Sequence, residues 1–221
     1  MMTFQRMNLV AAFLGACLAT QVFAGQIVSS PAPVASGPGL GLVSVPAIVT
    51  PNVNNDNQTG GGIDDNNIVI PLKRFDANAY IDLLFTTAPT QGSTEYKVTE
   101  FVDNNTGLNW STYTMQLGFG TGSGFKQAST SDIIDFDAPN YDLPPTSTGF
   151  SSVSKNPTIL VFSGGSQGAG AQTYTFRLDI PDFLDGRTDF TLRQVPTSVP
   201  EPGTIALAIV AAIACVTRRR G

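Results

Sequence analysis

The residues of this sequence best suited to chemistry are oxygen-bearing side chains in turn-like stretches. Asp56, Asp64 and Asp65 lie in a segment rich in Asn and Gly, and Asp135 and Asp137 lie further along the chain. Calcium takes six to eight such oxygen ligands, and extracellular modules bind it weakly. The spacings match no EF-hand loop, and Asp, Asn and Gly also form ordinary turns. The sequence therefore leaves two interpretations open at these five aspartates: weak calcium sites, or turns alone.

Two glycine-rich stretches resemble catalytic loops in spacing only. Gly164 to Gly168 fits the Gly-x-Ser-x-Gly nucleophile elbow, but that elbow needs a histidine, and the chain has none. Gly118 to Gly124 follows a predicted strand, as a phosphate-binding loop does. It has no P-loop lysine, and no helical pattern follows it. Both stretches predict turns.

Two further features concern carbohydrate chemistry. Two carboxylates suffice for glycoside hydrolysis, and the many acids of the chain offer such pairs, although no pattern selects one. Trp110 is the single tryptophan. Alternation places it opposite the face that holds Tyr113, which predicts an exposed ring able to stack on a sugar or to cover a sheet edge.

Charge and cysteine content exclude several classes of partner. Arg6 and three C-terminal arginines account for four of the twelve basic residues, so eight remain between residues 25 and 199, against sixteen of the seventeen acids. This excess of negative charge argues against nucleic acid or anionic lipid as a partner. Cys17 and Cys215 both lie in apolar terminal segments, so the body between them has no disulfide and no cysteine metal site. No cofactor other than calcium is expected.

The N-terminal segment has the pattern of a secretory signal peptide over residues 1–24. Arg6 precedes an apolar stretch from Leu9 to Leu18, and small or slim residues end at Ala24, which predicts cleavage before Gly25. A second interpretation is a lipobox-like run that ends at Cys17, whose cysteine would carry a lipid.

The C-terminal segment, residues 196–221, has three parts in a fixed order. Pro200, Glu201 and Pro202 come first, an apolar run follows over 203–216, and Arg218, Arg219 and Arg220 end the chain. An apolar run followed by arginines is a stop-transfer pattern with the basic end in the cytoplasm. The run predicts a transmembrane helix that is short for a hydrocarbon core of roughly 30 Å.

This three-part order resembles the PEP-CTERM sorting signal of exosortase substrates. The resemblance implies an exported bacterial protein whose precursor is anchored in the inner membrane. It further implies that an exosortase-type processing protease recognises Pro200, Glu201 and Pro202, and that the product reaches the cell surface or the medium. An ordinary C-terminal membrane anchor is the alternative.

The central region predicts an all-β domain. Residues 25–66 are rich in Pro, Gly and Asn without sustained periodicity, which predicts a flexible arm. Short strands with alternating apolar residues and turn-rich connections follow over 67–195, which predicts an antiparallel, jelly-roll-like β-sandwich. The predicted core includes six side chains: Leu83, Tyr113, Met115, Leu117, Phe176 and Leu178.

Several segments of this region resemble bacterial "choice-of-anchor" surface domains, which pair one ectodomain with different sorting tails. They are 71–75, 100–107, 117–122, 135–137 and 190–193. The resemblance implies no particular activity. The expected function is therefore a non-enzymatic structural or binding role in the extracellular polysaccharide layer. Two alternatives are an extracellular carboxylate-type glycoside hydrolase and a calcium-dependent carbohydrate-binding module.

Overall fold

The computed structural model describes residues 25–55, 66–90, 92–132, 134–139, 141–182 and 187–198. Several predicted features lie outside these ranges: the signal peptide, Asp56, Asp64, Asp65, the Pro-Glu-Pro motif, the apolar run and the arginine cluster. Within them, no helix is long and apolar enough to cross a membrane.

The described ranges contain fourteen strands and two short 3-10 turns, at Gly122–Gly124 and Thr130–Asp132. The strands are β1 (Gly25–Ile27), β2 (Val34–Ser36), β3 (Leu40–Val43), β4 (Ala47–Val49), β5 (Asn67–Phe75), β6 (Ile81–Pro89), β7 (Thr94–Asn104), β8 (Trp110–Phe119), β9 (Lys126–Gln127), β10 (Thr146–Ser147), β11 (Phe150–Asn156), β12 (Ile159–Gly165), β13 (Gly170–Ile180) and β14 (Asp189–Ser198).

These strands form two sheets around a common core. The first sheet has the order β1-β6-β14-β8-β12-β11, with β2 also on β6 and β9 also on β8. The second has the order β10-β13-β7-β5-β3, with β4 also on β5. The prediction of an all-β body with two sheets is confirmed. All six side chains predicted for the core are fully buried: Leu83, Tyr113, Met115, Leu117, Phe176 and Leu178.

One strand pair departs from the predicted antiparallel arrangement. Strands β5 and β7 are parallel neighbours in the second sheet. The reason is the path of the chain. After β5 the chain crosses to the first sheet to form β6, and it then returns to the second sheet as β7, which runs in the same direction as β5.

Strand β5 contains a bulge that changes which side chains face the core. Ile70 is opposite Glu100 and Lys73 is opposite Val102, so β5 has one residue more than β7 between these two pairs. Pro71, which has no N–H to donate to the ladder, lies in the bulge. Because the bulge shifts the alternation by one residue, Lys73 and Phe75 face the core, as Ile68 and Ile70 do.

The prediction of a flexible arm over 25–66 is wrong for residues 25–49. This segment forms β1 to β4, which pair with β6 in the first sheet and with β5 in the second. Without these short strands, β5 and β6 would be edge strands with unpaired N–H and C=O groups. Strands β1 to β4 pair with some of these groups through their backbone, which needs no long apolar repeat in the sequence. Ile27 also joins the buried core.

Candidate functional sites

The core between the sheets contains three polar side chains in mutual contact. Lys73 comes from β5, Glu100 from β7 and Gln194 from β14, and all three are fully buried. Charged side chains are seldom fully buried unless they are paired. Because β14 belongs to the first sheet and the other two strands to the second, the three side chains bridge the two sheets.

Glu100 contacts both nitrogens of this group. Lys73 Nζ donates to Glu100 Oε2 at 2.5 Å, and Lys73 also donates to the carbonyl oxygen of Gln194. Gln194 Nε2 donates to Glu100 Oε1 at 3.0 Å and to Oε2 at 2.8 Å. An amine, a carboxylate and a carboxamide therefore lie within hydrogen-bond distance of one another.

A buried cluster of aromatic rings packs against this group, which is itself closed to water. The Tyr113 ring lies 5.8 Å from Lys73 Nζ, and it stacks on Trp110 and packs against Tyr174 with centroid distances of 5.7 and 4.7 Å. Burial lowers the pKa of Lys73 to about 8, against the opposing effect of the Glu100 charge. Burial, with the nearby Glu100 charge, also raises the pKa of Tyr113 well above its usual range.

None of these three residues is among the predicted site residues, although two of them carry a signal in the sequence. In β7, Glu100 lies on the same alternating face as the apolar residues Tyr96, Val98 and Val102. In β14, Gln194 lies on the same face as Phe190 and Leu192. A polar residue in an apolar phase is buried and must find a partner. Lys73 carries no such signal, because the β5 bulge places it out of phase with Ile68 and Ile70.

A second polar cluster lies where β7 begins and β13 ends. Carboxylate oxygens of Glu95, Asp137 and Asp179 all lie within 4.8 Å of one another. Glu95 and Asp179 are direct cross-strand partners, and Asp137 comes from the segment between β9 and β10. The three residues are at most 9% exposed. Arg177 forms an ion pair with Glu95 and supplies one positive charge.

Asp137 has the environment of a ligand-binding carboxylate. It is 3% exposed, and its Oδ2 atom is buried without a hydrogen-bond partner among the described residues. Burial raises the pKa of Asp137, and the nearby Asp142 carboxylate adds to the effect, while backbone hydrogen bonds from Asp142 and Leu143 and the charge of Arg177 oppose it. A positively charged ligand would remove the cost of these crowded charges.

The five predicted calcium ligands have different outcomes. Asp137 lies in the acidic cluster, beside two acids that were not predicted, because Glu95 and Asp179 belong to strands rather than turns. Asp135 pairs through its backbone with Asp179, and its Oδ1 accepts from the N–H of Ala138 at 2.7 Å. Asp56, Asp64 and Asp65 lie outside the described residues.

The two glycine-rich stretches have structural roles. Gly164 to Gly168 leads from the end of β12 in the first sheet to β13 in the second sheet, so it connects two strands and not a strand to a helix. Gln167 in this loop is buried and donates to the carbonyl of Val102 at 2.7 Å, which holds the loop against β7. In the other stretch, Gly122 N donates to Asp82 Oδ2 at 2.8 Å, so a carboxylate occupies the amide that would otherwise contact a phosphate.

The prediction that Trp110 is exposed is wrong, because Trp110 is fully buried. The ring is buried because β8 contains a bulge. Thr112 pairs with Thr197 and Trp110 pairs with Ser198, so Ser111 is an extra residue in β8. The extra residue reverses the alternation and places Trp110 on the same face as Tyr113. The ring is therefore part of the core and is not a platform for sugar stacking.

No protein-family model, curated protein or solved structure significantly matches this chain. Its chemistry is therefore inferred from the two clusters. The carboxylates of Glu95, Asp137 and Asp179 suit a hard cation. The amine, carboxylate and carboxamide of Lys73, Glu100 and Gln194 are the groups required for acyl transfer.

Proposed function

We propose that this chain is an exported bacterial cell-surface or extracellular-matrix protein with a structural or binding role in the exopolysaccharide layer. The observation that carries the proposal is the order of Pro200-Glu201-Pro202, an apolar run and three arginines. In this proposal an exosortase-type protease cleaves an inner-membrane precursor near the Pro-Glu-Pro motif, and the body is released to the surface or the medium.

The body has properties that suit this role. Strand β14 ends at Ser198, so the motif at Pro200 begins two residues after the last strand of the sandwich. A protease at the membrane surface could therefore reach it without unfolding the body. The excess of acidic residues favours solubility outside the cell, and the absence of cysteine from the body makes folding independent of the redox state.

The test is mass spectrometry of the protein from its native host, with both termini determined. We expect the mature form to lack Arg218 to Arg220 and to begin at Gly25. Replacing Pro200, Glu201 and Pro202 by alanine should retain the precursor in the inner membrane, while replacing Pro144 and Pro145 in the body should not. An intact C terminus on the bulk protein would indicate an ordinary anchor, and a lipid on Cys17 would indicate a lipoprotein.

We further propose that the acidic cluster binds calcium. The observation that favours it is the buried Oδ2 of Asp137, which has no hydrogen-bond partner in the described ranges, on a carboxylate group within 4.8 Å of those of Glu95 and Asp179. Because the three acids are at most 9% exposed, the cluster suits a small cation better than the cleavage of a sugar chain, which favours a non-enzymatic role. Titration calorimetry with calcium should give heat for the wild type and none for Asp137→Asn. A calcium-dependent carbohydrate-binding module would bind polysaccharide only after calcium is added.

A further inference from the structure

We propose that Lys73 and Gln194 are joined by an intramolecular amide bond that forms in the folded protein, with Glu100 as the catalytic proton carrier. The proposal rests on the contact between Lys73 Nζ and the Gln194 carboxamide, on the two hydrogen bonds from that carboxamide to Glu100, and on the complete burial of all three side chains.

The first requirement is a nucleophilic amine. A lysine in water is an ammonium ion without a free electron pair, but burial among aromatic rings favours the neutral form. The lowered pKa of Lys73, about 8, agrees with this. Glu100 Oε2, at 2.5 Å from Nζ, is placed to accept the proton that the ammonium group gives up.

The second requirement is an acyl group within reach. Lys73 Nζ is in hydrogen-bond contact with Oε1 of Gln194, and the carbon that would be attacked is one bond from that oxygen. The glutamine side chain is held by Glu100 through its Nε2, so the amine and the carbonyl face each other inside a packed core. Such positioning replaces an encounter between free groups and accounts for much of the rate advantage of intramolecular reactions.

The reaction then follows a balanced path. The Nζ electron pair forms a bond to Cδ of Gln194, and the carbonyl π electrons move to Oε1. Protonated Glu100 gives its proton to Nε2, and the attached Nζ returns a proton to Glu100. The carbonyl re-forms as the bond from Cδ to Nε2 breaks and ammonia leaves. One amide replaces another, and no oxidant, reductant or cofactor is needed.

Two features of the site favour the completed bond over a simple ion pair. An ion pair buried in an apolar core carries a desolvation cost, whereas an amide is neutral and keeps its hydrogen bond to Glu100. The complete burial of the three side chains also excludes the water that would hydrolyse the new bond. Release of ammonia from the site makes the reaction effectively irreversible.

The bond would join two parts of the chain that are distant in sequence and lie in different sheets. Lys73 and Gln194 are separated by 121 positions, and they belong to different sheets. The bond would tie the last strand, β14, to β5 and so to the opposite sheet. A force applied beyond Ser198 would then be borne by a covalent bond rather than by the hydrogen bonds of β14 alone.

The experiment is an intact-mass measurement on the full chain, purified folded and then denatured, with its termini fixed by peptide mapping. The wild type should be lighter than its sequence by the mass of one ammonia. In a tryptic digest, the peptide that begins at Gln194 should be joined to the peptide that contains Lys73. A mass equal to the sequence overturns the proposal, and a loss of water instead of ammonia overturns the role of Gln194, because it would indicate a Lys73–Glu100 amide.

Variants test the assignment of each residue. Gln194→Met and Lys73→Met should lose the mass difference, and both should migrate more slowly than the wild type in a denaturing gel. Glu100→Gln should leave Lys73 and Gln194 unlinked, with a mass equal to that of its sequence. Lys155→Arg and Gln127→Met, at exposed positions, should keep the ammonia loss.

Retention of the ammonia loss in Gln194→Met or in Lys73→Met overturns the proposal. Folding of each variant is checked by circular dichroism. If a variant fails to fold, the wild-type mass and digest still decide the question.

Discussion

Glu95 and Asp179 lie directly opposite each other on β7 and β13, two like charges in adjacent cross-strand positions. Such a pair is destabilising unless it is compensated. Arg177 pairs with Glu95, but Asp137 adds a third carboxylate within 4.8 Å. The calcium-free protein therefore carries an excess of negative charge in a nearly buried cluster, and this has measurable consequences.

The first prediction is that calcium raises the thermal midpoint. A ligand that binds only the folded state stabilises it by RT ln(1 + [L]/Kd), so calcium at tenfold excess over a millimolar Kd adds about 1.4 kcal/mol. Differential scanning calorimetry with calcium and with chelator measures the effect. Asp179→Asn should reduce the shift, while Asp103→Asn, at the opposite end of β7, should keep it. A midpoint that stays unchanged when the calcium concentration is raised a further tenfold above this excess would show that the cluster binds no calcium.

The second prediction concerns Asp137 without calcium. Its pKa is raised in the folded state, so its contribution to stability is present below the unfolded pKa and is lost as the pH rises through the folded pKa. At neutral pH the ionised carboxylate therefore destabilises the fold. Asp137→Asn should raise the free energy of unfolding in chelator at pH 7 by about 1 kcal/mol, and the gain should vanish at acid pH. A lower stability of Asp137→Asn under both conditions would contradict this.

The third prediction concerns the stability that the Lys73–Gln194 bond confers. By the chain-entropy relation used for disulfides, closing a loop of this length adds about 4–5 kcal/mol. Gln194→Met should therefore lower the thermal midpoint by roughly 10 °C or more. Gln194→Met and Lys73→Met both prevent the bond, so combining them should cost far less than the sum of the single effects. Additive effects would indicate independent losses of packing.

The fourth prediction is a pH dependence that appears only when the bond is absent. In Gln194→Met, the Lys73 pKa is lowered from 10.5 to about 8, so the unfolded chain binds more protons between these values. The free energy of unfolding of this variant should therefore rise between about pH 8 and about pH 10.5 and change little below this range. Glu100 and Tyr113 also face the amine, and the raised pKa of Tyr113 keeps its hydroxyl protonated in this range. The wild type, whose amide does not titrate, should lack this rise in urea titrations.

The fifth prediction follows from the burial of Trp110. Truncation of a large buried aromatic side chain costs about 3–5 kcal/mol, whereas an exposed one costs little. Trp110→Ala should therefore lower the urea midpoint strongly. Phe101→Ala, at a side chain that is 39% exposed, is the control and should change it much less. Similar midpoints for the two variants would contradict the core position of Trp110.

Much of the body could be predicted from the sequence because alternation is a local property. Leu83, Met115, Leu117 and Phe176 occupy alternating positions in stretches of strand that contain no bulge, so their burial follows from the period of the backbone. The prediction failed where one extra residue shifts the period. Ser111 reverses the alternation before Tyr113, and the β5 bulge does the same before Lys73.

By itself, the sequence determined the all-β character of this protein, most of its core faces and the order of its terminal segments, because each depends on residues close together in the chain. Only the tertiary structure decided which polar residues meet. Glu95 reaches Asp137 and Asp179, and Lys73 reaches Gln194, through strand order and register. These contacts span tens to more than a hundred positions, and no local pattern encodes a pairing between two distant strands.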